Sequence, residues 1–170
     1  MTAIAMDSEV RTIGFGGGCH WCTEAVFDVL RGVRQVEQGW IASTPPDDAY
    51  SEAVLVHYAE DRVSLEELVA IHLATHSSTS THALRSRYRS AVYVLHESDR
   101  PRVAATVASI QAGVEQQIIT QVLPFGAFRL NEERYLHYYK KHREGQFCES
   151  YIEPKWSLLR EQFAHLYREG

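Results

Sequence analysis

Gly14-Phe15-Gly16-Gly17-Gly18-Cys19-His20-Trp21-Cys22-Thr23-Glu24 runs from an apolar strand, Val10 to Phe15, through three glycines into a helix that opens on a cysteine. Glycine permits backbone conformations and approaches that a side chain forbids, so this run suits a tight strand-to-helix turn. The free N–H groups and positive dipole end of the following helix would face the Cys19 sulfur. Such a setting favours the thiolate, the reactive form of cysteine. The alternative reading of Cys19 is a small buried hydrophobe, for which so open a backbone approach is unnecessary.

Working outward, apolar residues at Trp21/Cys22, Ala25/Val26 and Val29/Leu30 have the three-to-four spacing of a one-sided helix. Gly32 stands where a helix-ending glycine belongs, and Glu24 reads as a favourable charge in the first turn. Val36, Gln38 and Trp40 alternate as a strand, and Glu52 to Tyr58 forms another with Val54, Val56 and Tyr58 on one face. Ser43 to Asp48 is a loop by composition. Ser64 and Glu67 form a capping box that opens a helix through Ala74. Thr75 to Arg87 has no period and is the longest irregular stretch, and long loops in compact domains tend to be functional. Ser90 to Leu95 reads as a buried strand, Arg102 to Gln117 as a helix with Val103, Val107, Ile110 and Val114 on one side. Ile118 to Phe128 is extended and broken at Pro124-Phe125-Gly126. Asn131 is expected to cap a helix through about Lys141, and Pro154 to Tyr167 to form a last amphipathic helix. Interleaved strands and helices around one covered sheet give an α+β or α/β class. A polar tail over 1–9 precedes one domain over 10–170.

The chain has 170 residues, enough for one substantial core. An apolar fraction of 45%, a charged fraction of 23% and a net charge of −5 with both signs dispersed are those of an ordinary globular domain. They argue against nucleic acid or an anionic membrane as the main partner. No apolar run reaches the length of a membrane span and the first residues lack a secretory pattern. Three cysteines do not suit a secreted disulfide scaffold, so a reducing cytoplasm is expected. The nine histidines show no paired metal spacing.

The residues leave three chemistries open. Cys19 and Cys22 form a C-x-x-C at a helix start after a strand, the local pattern of a dithiol oxidoreductase. Cys19 alone can be a nucleophile with partners elsewhere in the chain. Cys19, His20, Cys22 and Cys148 could be imagined as a zinc site, but a single C-x-x-C without a matched second pair is a weak signal for one.

Taken together, Gly18-Cys19-His20-Trp21-Cys22-Thr23-Glu24-Ala25-Val26-Phe27 resembles the active-site helix of the A-type methionine sulfoxide reductases, where the pattern is Gly-Cys-Phe-Trp-Gly-x-Glu. The resemblance continues at Gly39-Trp40, at Ser51-Glu52-Ala53-Val54 against the family's His-Ala-Glu-Val, and at His76. It is renewed at Arg87-Tyr88-Arg89-Ser90-Ala91-Val92-Tyr93 against Gln-Tyr-Arg-Ser-Ala-Ile-Tyr. It closes at Phe147-Cys148 and Ile152-Glu153-Pro154-Lys155. An ordered set across residues 10–165 is more specific than any one motif.

The resemblance implies an α+β, ferredoxin-like two-layer sandwich: a mixed sheet covered by helices, with a C-terminal extension. It implies reduction of methionine-S-sulfoxide, free or in proteins, without a bound cofactor or metal. Cys19 would attack the sulfur, while Glu52, its pKa raised by burial, would donate a proton with help from the Tyr88 hydroxyl. His20 and Trp21 would wall the methyl pocket. Cys19 sulfenic acid would then be resolved to a disulfide and reduced by an external dithiol such as thioredoxin. Cys148 aligns with the family's resolving position and is preferred for that role, with Cys22 as a second resolving or relay thiol. A monomer is expected.

The chain also departs from the pattern. His20 replaces Phe, Cys22 replaces Gly, and the segment between Trp40 and Glu52 is too short for the family's Asn-Pro-Thr-Tyr, with Tyr50 nearby but unassigned. The family's aspartate before Gln-Tyr-Arg-Ser is missing, and His82 is the residue placed to replace its contact. A general thiol–disulfide oxidoreductase using Cys19 and Cys22, and a non-catalytic redox-sensing module, are the alternatives.

Overall fold

In a computed structural model, residues 9–80, 87–142 and 144–168 are described. Strand β1 (Val10–Gly16) leads into helix α1 (His20–Asp28), followed by β2 (Val33–Ala42), β3 (Ser51–Ala59), α2 (Leu65–Thr75) and β4 (Ala91–Val94). This is a βαββαβ unit whose strands lie in the order β4-β1-β3-β2 with antiparallel neighbours, the ferredoxin-like arrangement. Helix α3 (Arg100–Gln111) then leads to β5 (Gln121–Pro124), which adds to β4 in parallel, and β6 (Ala127–Leu130) adds to β2 on the other edge. The resulting six-stranded mixed sheet is the expected α+β fold. Helices α4 (Tyr138–Lys141) and α5 (Glu153–Gln162) belong to the C-terminal extension.

Alternation in the strands decides which face is covered by helices. Ile13 and Phe15 of β1, Val54, Val56 and Tyr58 of β3, and Val92 and Val94 of β4 join the α1, α2 and α5 side chains in the main core, as side chains two apart in a strand must share a face. Phe15 stacks on Phe27 of α1 with ring centroids 4.6 Å apart. Ile41, Ala53, Leu55, Ala91 and Tyr93 face the other way, under Leu123, Phe125 and Phe128 from the β5–β6 segment.

Local chemistry sets several boundaries as expected. Ser64 Oγ accepts the Glu67 N–H at 3.0 Å and Glu67 Oε1 accepts the Ser64 N–H at 3.0 Å, a complete capping box. Elsewhere tertiary bonds override local pattern. Helix α3 ends at Gln111, short of the expected Gln117, because the Gln111 side chain bonds the following backbone at Gln116 O and Ile118 N. The helix expected from Asn131 is broken: a 3-10 turn covers Glu133–Tyr135, and His137 adopts a left-handed conformation before α4. The reason lies in the core, where the His137 N–H donates to Glu24 and the Asn131 side chain donates to Gln38. Helix α5 stops at Gln162, after which Tyr167 pairs with Leu30 in an isolated bridge. Gly32, with φ of +89°, shapes the turn into β2, four residues beyond the end of α1.

Among the described residues, no helix is long and apolar enough to cross a membrane.

Candidate active site

The glycine run positions the site. A Cβ on Gly16 would lie 3.0 Å from Arg89 O and 3.1 Å from Glu52 O, so this glycine lets three segments of backbone close together beneath the helix start. Gly17, at φ +152°, turns the chain, and a Cβ there would meet the His76 ring at 2.5 Å. Cys19 is the N-cap of α1, its carbonyl accepting the N–H of Cys22 at 3.1 Å and of Thr23 at 3.2 Å. The residue is partly exposed. The Cys22 thiol donates to Cys19 and is the chief cause lowering its pKa, and the Trp21 and Cys22 backbone amides act the same way against burial and the nearby Glu52 charge. The same hydrogen bond, with burial, pushes the Cys22 thiol up. Cys19 is therefore the thiol that ionises first.

Glu52 lies on β3, only 4% exposed. Its Oε1 accepts the His20 N–H, the first N–H of the helix, at 3.2 Å, and its Oε2 accepts from Arg87 Nε at 2.8 Å. The Glu52 N–H in turn donates to Arg87 O at 3.1 Å, which ties the strand to the segment before β4. Arg87 is raised by its bond to Glu52, and its side chain remains 66% exposed. Its guanidinium lies 5.2 Å from the Tyr88 ring. Burial, then the Glu52 charge, pushes the Tyr88 hydroxyl up, and the charges of Cys19 and Cys22 act in the same direction. Cys19, Glu52 and Tyr88 thus form one electrostatic neighbourhood.

His20 is buried, its Nδ1 2.6 Å from the Gly39 carbonyl and its ring edge-on to Trp40 at 5.1 Å. Burial lowers its pKa. Trp21 lies in an aromatic stack, 4.1 Å from Tyr138 and 5.5 Å from Tyr135, with Phe147 edge-on at 5.4 Å. Tyr50 is exposed under the Arg129 guanidinium. His82 lies outside the described residues.

On the opposite side of Cys19 a cavity of about 180 Å³ is lined by Cys19, Cys22, Val26, His72, His76 and Lys155, among others. Lys155 is lowered by burial and raised by the charges of Cys22 and Cys19, and its ammonium donates to Thr75 O. Cys148 is only 1% exposed, on a π-helical turn over Cys148–Ile152 that packs on α1 close enough to influence Cys22. All three cysteines are free thiols. Among the described residues, no group of three or more His, Cys, Asp or Glu is arranged to hold a metal ion.

Two features escaped the sequence reading. Glu24 is 1% exposed, not a surface charge of the first turn; its Oε1 accepts from Gln38 Nε2 at 2.9 Å and from the His137 N–H at 2.8 Å, and burial raises its pKa. A polar residue in the inward arc of α1, opposite a glutamine inside an apolar strand, was the available signal. Arg87 was the second, its signal being an arginine where the resembling pattern has glutamine beside the acid.

A partly exposed, low-pKa cysteine at a helix N-terminus, facing a buried carboxyl and a phenol, defines a thiol-dependent oxidoreductase site. A family model described as peptide methionine sulfoxide reductase matches residues 11–167. A curated relative from Deinococcus radiodurans, "Peptide methionine sulfoxide reductase MsrA", is 32% identical over 91% of this chain and 82% of its own. One of the same name from Acinetobacter baumannii is 30% identical over 91% and 96%. Among solved structures, reduced Mxr1 from Saccharomyces cerevisiae aligns with TM-score 0.72 at 20% identity, over 84% of this chain and 91% of that one. Methionine sulfoxide reductase A of Corynebacterium diphtheriae aligns with TM-score 0.68 at 23% identity, over 80% and 76%; both structures support the fold. The chain belongs to the peptide methionine sulfoxide reductase family, to its A type.

Proposed function

We propose that this reductase acts on the S epimer of methionine sulfoxide, free or in peptides, with Cys19 as nucleophile, Glu52 as acid and Tyr88 as a supporting donor. Reduction of methionine sulfoxide itself follows from family membership. The observation that carries the assignment of roles is the convergence of a pKa-lowered Cys19, the buried Glu52 and Tyr88 at the start of α1.

The Cys19 thiolate attacks the sulfoxide sulfur as the oxygen takes a proton from Glu52. The oxygen passes to Cys19 as sulfenic acid, methionine leaves with its sulfur reduced by two electrons, and Cys19 is oxidised by two. Trp21 and its aromatic neighbours offer an apolar wall for the S-methyl group. A thiol then attacks the sulfenic sulfur and water leaves. Cys22 is already hydrogen-bonded to Cys19, which favours it for this step. Cys148, held close to Cys22, would attack next and release Cys19, so that the two act as a relay. An external dithiol of the thioredoxin kind closes the cycle; a structural relative, Mxr1 from Saccharomyces cerevisiae, has been solved in complex with Trx2. No cofactor or metal enters these steps, and the three free thiols fit a reducing cytoplasm. A monomer suffices, since every group named comes from one chain.

The test offers each epimer of a methionine sulfoxide peptide with dithiothreitol. S-selective reduction abolished by Cys19→Ser and strongly slowed by Glu52→Gln supports the reading. Insulin-disulfide reduction without sulfoxide turnover would instead assign the Cys19–Cys22 pair to general dithiol exchange. Mapping the disulfide after one turnover, in wild type and Cys148→Ser, identifies the resolving thiol.

A further inference from the structure

Register across the sheet lines up a row of charged and aromatic side chains beside Cys19. Arg129 of β6 lies directly opposite Trp40 of β2, and Trp40 directly opposite Glu52 of β3. Residues paired in this way project from the same face. With strands about 4.8 Å apart, Arg129 stands roughly 10 Å from Glu52. Arg87 closes the row, its Nε donating to Glu52 Oε2 at 2.8 Å. The order is therefore cation, indole, carboxyl, cation. The His20 ring meets Trp40 edge-on at 5.1 Å and the charge of Cys19 acts on Arg87, so the row borders the nucleophile.

Both guanidinium groups are held by aromatic rings and keep donors unused. The Arg129 guanidinium carbon lies 4.7 Å from the centre of the Tyr50 ring and 5.7 Å from that of Trp40. Such cation–π contacts fix the charge and use none of its N–H donors. Among the described residues Arg129 has no carboxylate or hydrogen-bond partner, and Glu132, the next acid along the chain, is paired with Arg134 at 2.8 Å. Arg87 lies 5.2 Å over the Tyr88 ring and spends Nε on Glu52, with its side chain 66% exposed. Its Nη1 and Nη2 have no acceptor among the described residues. The whole chain carries a net charge of −5, so two such cations beside the site run against its average.

A held arginine with a free planar fork matches a carboxylate, which it can bind through two parallel N–H donors. We propose that Arg87 and Arg129 are specificity-determining residues that bind a carboxylate carried by the substrate next to its sulfoxide. That carboxylate has two sources: the substrate's own α-carboxylate, in free or C-terminal methionine sulfoxide, or the side chain of a neighbouring Asp or Glu. Arg87, bonded to Glu52 and acted on by the Cys19 charge, suits the first. Arg129, two strands from Glu52 and over Trp40, suits the second. Glu52 offsets part of the Arg87 charge whereas Arg129 is unpaired among the described residues, so the neighbouring acid gives the larger preference. A lysine in the same place meets like charge and is disfavoured. This rests on the reading of Cys19 as the nucleophile.

The test measures kcat/KM with dithiothreitol for blocked peptides in which Glu, Gln or Lys follows methionine-S-sulfoxide. N-acetylmethionine-S-sulfoxide and its amide form a second pair. Wild type should favour Glu over Gln about 10-fold, through KM, and should disfavour Lys. The free acid should be favoured over the amide by a smaller factor. Arg129→Gln should bring the Glu/Gln ratio close to one, and Arg87→Gln the acid/amide ratio. Loss of the Arg87 bond to Glu52 slows both members of a pair alike and cancels in each ratio. In wild type the preferences should fade at about 1 M salt, where screening acts beyond about 3 Å, a readout that needs no variant. A preference in one pair only, lost in its variant, supports the proposal and identifies the source of the carboxylate. Ratios near one for both pairs in wild type, or ratios that survive in the double variant Arg87→Gln/Arg129→Gln, overturn it. Failure to turn over any of these substrates would instead overturn the reading of the reaction at Cys19.

Discussion

Cys19 separates two regions of different character. Toward β3 lie Glu52, His20 and Asn131, buried polar side chains with hydrogen-bond or ion-pair partners, and the exposed Arg87 that bonds Glu52. Toward α5 lies a largely apolar chamber lined by Cys19, Cys22, Val26 and Lys155, with Cys148 buried in the core close enough to influence Cys22. The helix start creates the division. The His20 N–H, left without an intrahelical acceptor, points across to Glu52, whereas Cys22, one turn on, stays beside Cys19 and faces the chamber. Oxygen transfer needs a proton and a polar environment, and thiol exchange needs sulfurs in contact.

The comparison breaks completely at the atom shared by both regions. Cys19→Ser is expected to lower sulfoxide reduction on the order of 10⁴-fold or more and to leave no disulfide, as mass spectrometry of the turnover mixture would show. Glu52→Gln attacks the polar side alone: sulfenic acid formation should slow by about 10²- to 10³-fold, with alkylation of Cys19 still fast. Lys155→Met attacks the thiol side. Removing the ammonium removes a charge that favours the Cys22 thiolate, so disulfide formation after the first turnover should slow about 10-fold at neutral pH while methionine release keeps its rate. That deficit should shrink as pH rises, because burial has lowered the Lys155 pKa and its charge is lost early.

The smallest effect is on stability. The folded-state pKa of Glu24 is raised, so the native protein binds its proton more tightly than the unfolded chain. Its contribution is fully present below the unfolded carboxyl pKa and is lost as pH climbs through the folded one. Glu24→Gln keeps an acceptor for Gln38 and His137 without the charge, so its denaturation midpoint should gain on wild type between acid and neutral pH. Glu24→Leu leaves the Gln38 amide and His137 N–H without an acceptor and should cost about 2 kcal/mol.

Legibility differed between the same two regions. The individual strands and helices of the core could be read because their signals are local: Ser64 and Glu67 three apart, Val54, Val56 and Tyr58 two apart, a cysteine after glycines; their ferredoxin-like arrangement came with the family resemblance. The roles of Glu52 and Tyr88 came only through a family resemblance, since nothing within β3 marks one carboxylate as facing a cysteine on another element. Glu24 and Asn131 were misjudged for a related reason. Each looks like a helix-terminal residue by position, and each is bound instead across the core to Gln38, a contact visible only after folding. The broken helix after Asn131 is the backbone counterpart of that contact, since His137 turns left-handed where its N–H meets Glu24. Cys148, expected in a C-terminal extension, lies inside the main core with Trp156, Ile152 and Leu159.

That last placement ties the oxidation state of the enzyme to its mechanical integrity. A thiol seated among core side chains cannot bond to a new partner without tugging on the turn that carries it, so the oxidised molecule must melt differently from the reduced one. Calorimetry of the two forms would read the distortion directly, and Cys148→Ala should remove the difference if this thiol is a resolving one.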